Sequence, residues 1–492
     1  ATLRLDSKIA TRDEVLLETS ASSLRNTFTG VSVSRKMNQL SWNIRSFYAR
    51  NENEFSYRDT YQWGAPVVNQ VNNNNKTSGV QGNLVYSGRK RTHYFNAMSV
   101  NRFALLPATM GGVGNLNANQ HDDLFQSSFY SEGKRKVARS VFYFQAKQGV
   151  SLTLSNQVYN SNVASSKIET SVFNAFYNGS IQWRGALLQL NPTASATALQ
   201  YRDWSSSVQW KGASLWASYI QQLTKGNVRM VSWLKPEWRS DRKPIVSGEV
   251  GFELPYKMKN VSSQFSVSGS VKSRMPSAND LYWIQGGNTD LLSEKAKWLQ
   301  LKWDNELTLL NECVFHLQVN AKVGAVSNWI QWQPLPENIW IASNFKSVAM
   351  KQFEGVASWK TQVAKGFLNV TSRIELTSTT AKNIGMPGVF DMIYTPRVCM
   401  NHIVQYVHER WSFSLTDSFV SKRYTDEGNN DFYALPSFNT INASLNKEWS
   451  FNKNKLSLQF EVQNITNVEY QWIRGYAVPG RVYSFGVKFF IH

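Results

Sequence analysis

The fold class this sequence predicts is all-β: a large antiparallel transmembrane β-barrel of about 22 strands. Three observations carry that expectation. A two-residue hydrophobic period recurs from end to end. Short polar turns alternate with long connections rich in Asn, Gly and aromatics. No apolar run approaches the roughly 20 residues a membrane-spanning helix needs.

The period begins near Asp13–Ser22, read as the first strand. Leu40, Trp42 and Ile44 interleave with Ser41, Asn43 and Arg45; Val150, Leu152 and Leu154 interleave with Ser151, Thr153 and Ser155. Phe265, Val267 and Val271 oppose Ser266, Ser268 and Lys272, and Leu368, Val370, Ile374 and Leu376 oppose Asn369, Thr371, Arg373 and Glu375. Trp411, Phe413 and Leu415 alternate with serines and Thr416; Leu456, Leu458, Phe460 and Val462 alternate with Ser457, Gln459, Glu461 and Gln463. The last segment sets Tyr483, Phe485, Val487, Phe489 and Ile491 on one face, and Ser484, Gly486 and Lys488 on the other. Such strands have one greasy and one wet side. No helical period of comparable length competes.

Connections come in two lengths. Lys36–Gln39, Arg89–Thr92 and Phe451–Lys455 are short polar turns. Asn51–Gly79, Pro107–Asp123, Ser273–Ala296, Asn328–Lys351, Thr377–Thr395, Lys422–Ser437 and Asn467–Gly480 read as long outer loops. Dividing 492 residues by units of roughly 22, each with about 10 in the spanning strand, gives the strand count. A barrel that wide has a bore its own side chains cannot fill. No linker splits the chain, so residues 1–492 read as one barrel domain.

Composition excludes little and narrows much. With 42% hydrophobic and 18% charged residues, and a mean hydropathy of −0.38, a helix-based scan passes over this chain, as it does for barrels generally. The net charge of +19 invites a nucleic-acid reading. The basic residues are instead scattered among turns (Arg89–Arg91, Lys134–Lys136, Arg242 and Lys243), which suits a positive lumen, turns facing anionic lipid, or an acidic polypeptide filling the bore; no nucleic-acid partner is expected. Cys313 and Cys399 make neither a disulfide framework nor a zinc spacing. The start lacks the charged and apolar regions of a signal peptide.

Catalytic chemistry is hard to find. His121-Asp122-Asp123 reads as a solvated loop tip rather than half a metal site. His402 and His408 share a face but stand about 20 Å apart along a strand. No nucleophile elbow, phosphate-cradling glycine motif or Cys/His cluster occurs. The expectation is no enzyme, no metal and no cofactor. Aromatic side chains in the expected outer loops are better candidates: Tyr57, Trp63, Tyr282, Trp283, Trp329, Trp332, Trp340, Tyr433, Trp472 and Tyr476, with Tyr61 and Phe432 beside them. Flat rings with polar edges suit a large, rigid, amphipathic ligand. The competing reading is an interfacial girdle, where Trp and Tyr gather regardless of ligand. Asn288 and Arg481 read as loop-fixing residues.

Four stretches carry a resemblance. Arg274-Met-Pro-Ser-Ala-Asn-Asp-Leu-Tyr-Trp283, followed by Gly287-Asn-Thr-Asp-Leu-Leu-Ser-Glu294, resembles the R-x-P-x-x-x-D-L-Y-W … G-N-x-D-L-x-P-E loop of TonB-dependent outer-membrane transporters, of the cobalamin and siderophore receptor type. Val326–Pro334 with Asn338, Trp340 and Asn344 resembles a loop of Bacteroidetes members, and Asn51–Tyr57 resembles their first long outer loop. Asn464–Asn467 with Pro479–Arg481 and the last strand completes the set. Ser293 stands where Pro is usual, Leu292 where Lys is usual, and the chain ends on His492.

The resemblance implies a multi-pass barrel in the outer membrane of a Gram-negative bacterium. It implies uptake of a scarce, bulky nutrient, foremost cobalamin or another corrinoid, with a ferric siderophore or haem as the alternative cargo. A plugless barrel serving as scaffold subunit of an outer-membrane complex is the alternative of another class. Implied partners are the TonB-ExbB-ExbD energy-coupling complex acting through a plug, a surface-exposed lipoprotein, and outer-membrane lipid with lipopolysaccharide. The plug domain and the segment that TonB grips are expected to lie outside these residues.

Overall fold

In the computed structural model the alternating segments pair edge to edge. The residues it describes are 12–71, 73–107, 110, 118–137, 142–162, 165–183, 186–190, 192–203, 207–222, 228–283, 286–309, 313–334, 340–382 and 388–492. Asn72, Asn338 and much of the Pro107–Asp123 connection lie outside them.

The strands run in chain order from β1 (Glu14–Ser22), β2 (Thr27–Met37) and β3 (Leu40–Asn51) to a small separate hairpin, β4 (Ser56–Arg58) with β5 (Val67–Asn69). Next come β6 (Asn75–Ser87), β7 (Arg91–Leu105), β8 (Asn119–Val137), β9 (Phe142–Asn160) and β10 (Ser165–Trp183). Then follow β11 (Ala186–Leu190), β12 (Thr193–Asp203), β13 (Ser207–Gln222), β14 (Arg229–Arg239), β15 (Arg242–Lys257) and β16 (Val261–Arg274). A one-turn helix, α1 (Ala278–Tyr282), precedes β17 (Glu294–Thr308), β18 (Val314–Pro334), β19 (Trp340–Val363) and β20 (Gly366–Lys382). The last are β21 (Phe390–Asp391), β22 (Val398–His408), β23 (Trp411–Val420), β24 (Phe438–Phe451), β25 (Asn454–Gln463) and β26 (Val482–Ile491).

Every ring strand is antiparallel to its neighbours, and β1 pairs with β26 (Leu17 opposite Phe489, Thr19 opposite Val487), so the sheet has no free edge. Closure removes the unpaired N–H and C=O groups that hydrocarbon cannot solvate. β11 and β12 share one place between β10 and β13, and β21 and β22 share one beside β20. With the β4–β5 hairpin set aside, the ring has 22 places.

The two walls follow from side-chain alternation. Leu17, Val31, Ile44, Phe129, Leu234, Val250, Trp303, Trp359, Phe413, Leu445 and Phe485 point outward and are exposed. Inward-facing Glu18 on β1 and Arg45 on β3 form an ion pair across Gly30 of β2. A Cβ at Gly30 would meet the Glu18 carboxylate at 2.7 Å, so the bare backbone there makes room for the pair. The surface grooves, of about 780 and 1360 Å³, lie against the strand walls (Leu154, Ala198 and Trp238; Leu234, Val250 and Val271) and not in the mouth.

At one end the connections are tight. Two-residue turns join β2 to β3, β19 to β20, β22 to β23 and β24 to β25, with positive φ at Asn38 (45°), Ala364 (52°), Glu409 (52°) and Asn452 (53°); such turns match strand twist. The long connections gather at the other end, as expected, but several are shorter than the sequence suggested. Most of the expected loop Asn328–Lys351 is strand among the described residues: β18 runs to Pro334 and β19 starts at Trp340, in continuous register from Trp329 opposite Phe345 to Pro334 opposite Trp340. Its Trp and Ile content favours strand, and ladder hydrogen bonds outweigh the loop-like Asn and Pro. His121–Asp123 likewise belongs to β8, not a loop tip, paired on both sides. β6 begins within the expected loop Asn51–Gly79, and β20 takes the first residues of Thr377–Thr395.

Candidate functional site

The long connections fold inward and meet over the mouth of the ring. Each is held by its own local chemistry. In the connection between β16 and β17, Ser277 caps α1: its hydroxyl accepts from the Asp280 N–H, and the Asp280 carboxylate accepts from the Ser277 N–H, a capping box. Asp280 also accepts from the Trp332 indole N–H at 2.9 Å and faces Arg274 at 3.3 Å. Arg274 in turn grips Glu294 through two 2.8 Å hydrogen bonds, the bidentate geometry that guanidinium and carboxylate share. Burial pushes the Asp280 carboxyl up, but hydrogen bonds from Ser277 and Trp332 and the Arg274 charge outweigh it and hold it below the usual range.

Asn288 binds the same loop to the strand behind it: its side-chain N–H donates to the Ala342 carbonyl, and its oxygen accepts from the Asp290 N–H. Arg242, just past the β14–β15 turn, donates to the Leu291 and Thr289 carbonyls, and buried Arg239 stacks on Trp210 at 4.7 Å. The polar residues of the stretch 274–294 therefore lock a loop. They leave its aromatics to face the bore. Tyr282 lies 5.5 Å from the ring of fully buried Tyr201, and Trp283 lies 4.6 Å from the ring of Tyr159 on β9.

From the other side comes the connection between β25 and β26. Its Gly475 carbonyl accepts from the Met110 N–H of the β7–β8 connection, and Gln471 reaches the Met110 sulfur. Arg474 sits between Tyr433 at 4.4 Å and Tyr61 at 5.7 Å, cation over ring. Tyr394 packs 6.1 Å from Trp340, and its N–H donates to the Tyr424 carbonyl. Burial pushes the phenols of Tyr394 and Tyr476 up, so both remain neutral donors at ordinary pH. A second nest holds Arg423, which is buried, between Phe438 at 5.1 Å and Trp472 at 5.8 Å, with Tyr470 stacked on Phe438 at 4.3 Å. Arg423 donates to the Gln471 carbonyl; burial pushes its guanidinium down.

Of the expected residues, Trp340, Tyr433 and Tyr476 lie in or beside the Arg474 cluster, and Tyr282 and Trp283 cover the facing wall. Trp472 serves the Arg423 nest. Trp329, Trp332 and Trp340 sit on strands rather than in a loop; Trp329 packs against a buried cluster of Val326, Phe345 and Val348, and Trp332 against Leu281 and Ile330. Tyr57 lies on the β4–β5 hairpin, 6.2 Å from Phe55, and Trp63, two residues past Tyr61 in the same hairpin, is fully exposed. The sequence reading missed Arg474, Tyr394 and Arg423. A lone arginine in an aromatic-rich loop (Trp472-Ile-Arg474-Gly-Tyr476) was the available signal. Among the described residues no group of three or more metal-ligating side chains occurs, and His121 with Asp123 stands on the outer wall with Asn101 and Asn156. The two cysteines are free.

Such a mouth presents rings and a cation side by side, the groups that hold a bulky, flat-faced ligand. No protein-family model matches the chain, and no curated protein matches it in sequence. Solved structures do resemble it. The copper transporter OprC has a TM-score of 0.76 at 12% identity, over 99% of this chain and 82% of its own. BauA, the ferric preacinetobactin receptor of Acinetobacter baumannii, has a TM-score of 0.70 at 10% identity, over 99% and 81%. The siderophore receptor PirA of Pseudomonas aeruginosa has a TM-score of 0.67 at 13% identity, over 99% and 82%. At that identity the likeness establishes the fold, a closed outer-membrane-type barrel.

Proposed function

We propose that this chain is the barrel of a TonB-dependent receptor that captures a scarce, bulky nutrient at the surface of a Gram-negative outer membrane and passes it through its bore. The observation that carries the reading is the roof. Three consecutive outer connections, after β20, β23 and β25, and the connection after β3 across the β1–β26 seam bring Tyr61, Tyr394, Tyr433, Tyr476 and Arg474 together at the mouth of a bore too wide to be filled by the wall. A closed sheet with an apolar outer wall suits a bilayer. Energy would reach the cargo through a plug polypeptide occupying the bore, driven by TonB-ExbB-ExbD. A surface lipoprotein and lipopolysaccharide are the partners that fit its outer end and outer wall.

For cargo, the four sequence stretches favour a corrinoid such as cobalamin. A ferric chelate is the second reading, favoured by the cationic, tyrosine-rich character of the roof and by the siderophore receptors that share the fold. Uptake of cobalamin and of ferric siderophores at nanomolar supply, in cells with and without the protein, separates them. A cobalamin deficit in the deletion supports the first cargo and an iron-chelate deficit the second. Normal uptake of both, with stoichiometric recovery in an envelope complex, returns the barrel to a scaffold.

A further inference from the structure

We propose that the outer wall around His402 and Asp417 is a lateral interface at which a second copy of this chain docks within the bilayer. β22 and β23 are 11 and 10 residues long, about one spanning length for a tilted strand. His402 and Asp417 are register partners within two residues of the middle of those strands, and thus near mid-membrane. Alternation puts Asp417 on the face of Leu415 and Phe413, both exposed and apolar, and His402 on the same wall. Two ionisable side chains therefore face lipid at its least polar depth, where such groups are rare and mark a partner or a pathway.

Their own chain satisfies them only in part. Ser372 of β20 engages His402 Nδ1 at 2.8 Å, which fixes the ring and leaves Nε2 for another partner. Among the described residues the Asp417 carboxylate has no hydrogen bond or ion pair, although its backbone carbonyl accepts from Asn401. The same outer row continues through Ser372 into Ala357 of β19, a small side chain beside the pair.

A second copy is the occupant the geometry selects. Two copies in one membrane with the same orientation are related by a two-fold axis along the membrane normal, which makes the contact isologous. Such an axis in front of the wall between β22 and β23 brings each His402 opposite the other copy's Asp417, because the two lie side by side at similar depth. A single row thus supplies both halves of two complementary pairs.

The test uses the full chain in lipid nanodiscs large enough for two barrels, with mass measured at dilutions that separate monomer from dimer. The wild type is expected to dimerise. His402→Asp and Asp417→His each oppose like groups across the axis and should weaken dimerisation at least tenfold. The double swap restores opposite partners and should recover it. Folded-barrel mobility on unheated gels checks each variant; where a swap does not fold, His402→Gln and Asp417→Asn take its place. A monomeric wild type, single variants that dimerise normally, or a double swap that stays monomeric would overturn the proposal. So would one-to-one recovery from native membranes with a different membrane protein and no self-association.

Discussion

The guanidinium of Arg474 lies 4.4 Å from the centre of the Tyr433 ring, tying the connection after β25 to the one after β23. The contact joins two connections and no strand of the ring, so it belongs to the roof rather than to the wall. Removing it should loosen the mouth and spare the strands. Arg474→Ala should speed protease cleavage of the β25–β26 connection and weaken cargo binding about tenfold, because a partly desolvated cation–π pair contributes roughly 0.5–2 kcal/mol. Titration calorimetry of the purified barrel with cobalamin and with a ferric siderophore measures it. Unchanged affinity would move the capture site elsewhere.

Asp280 supports α1 through the Ser277 N–H, the Trp332 indole and Arg274. Asp280→Asn keeps the volume and loses the charge, and should cost the loop about 1–3 kcal/mol, nearer the lower figure because Arg274 is about half exposed and screened. Hydrogen exchange over residues 275–293 reads this out.

The same residue sets an acid limit. Its folded value lies below the ordinary 3.8, so the unfolded loop binds more protons than the folded one between the two values. Its contribution is complete above about pH 4 and is lost as pH falls through the folded value. Loop protection in the wild type should fall there, and Asp280→Asn should abolish that step.

Gly30→Val tests the inner wall. The new side chain would drive into the Glu18 carboxylate and break its pair with Arg45. Forced repacking of this kind costs about 1–3 kcal/mol. A lower urea midpoint for barrel unfolding in vesicles is expected, and Gly30→Ala should show a smaller shift in the same direction.

Phe485→Lys tests the outer wall at the seam. Phe485 is 49% exposed, faces outward near the middle of β26 and pairs with Ala21 of β1. A lysine on the lipid face costs about 2–4 kcal/mol at mid-membrane and far less at an interface. Folding yield into vesicles should fall sharply, while Ser484→Lys on the inner face should fold normally.

What the amino-acid order determined by itself was the wall. The face of Tyr483, Phe485 and Val487 is readable because a strand writes its environment into every second residue, and no distant contact can change that parity. The tight turns at Asn38 and Asn452 are equally local. Loop extents were read less well: Trp329 to Pro334 looks irregular alone and becomes strand only because Trp340 to Phe345 lie opposite to complete the ladder.

The roof was decided by the tertiary structure alone. Arg474 finds Tyr61 and Tyr433, hundreds or tens of residues away, only after the ring has closed and set the connections facing one another. His402 and Asp417 are likewise unremarkable as letters, and become a lipid-facing pair once the register of β22 and β23 places them side by side. Alternation is a property of one strand; which loops and strands meet is a property of the closed circle.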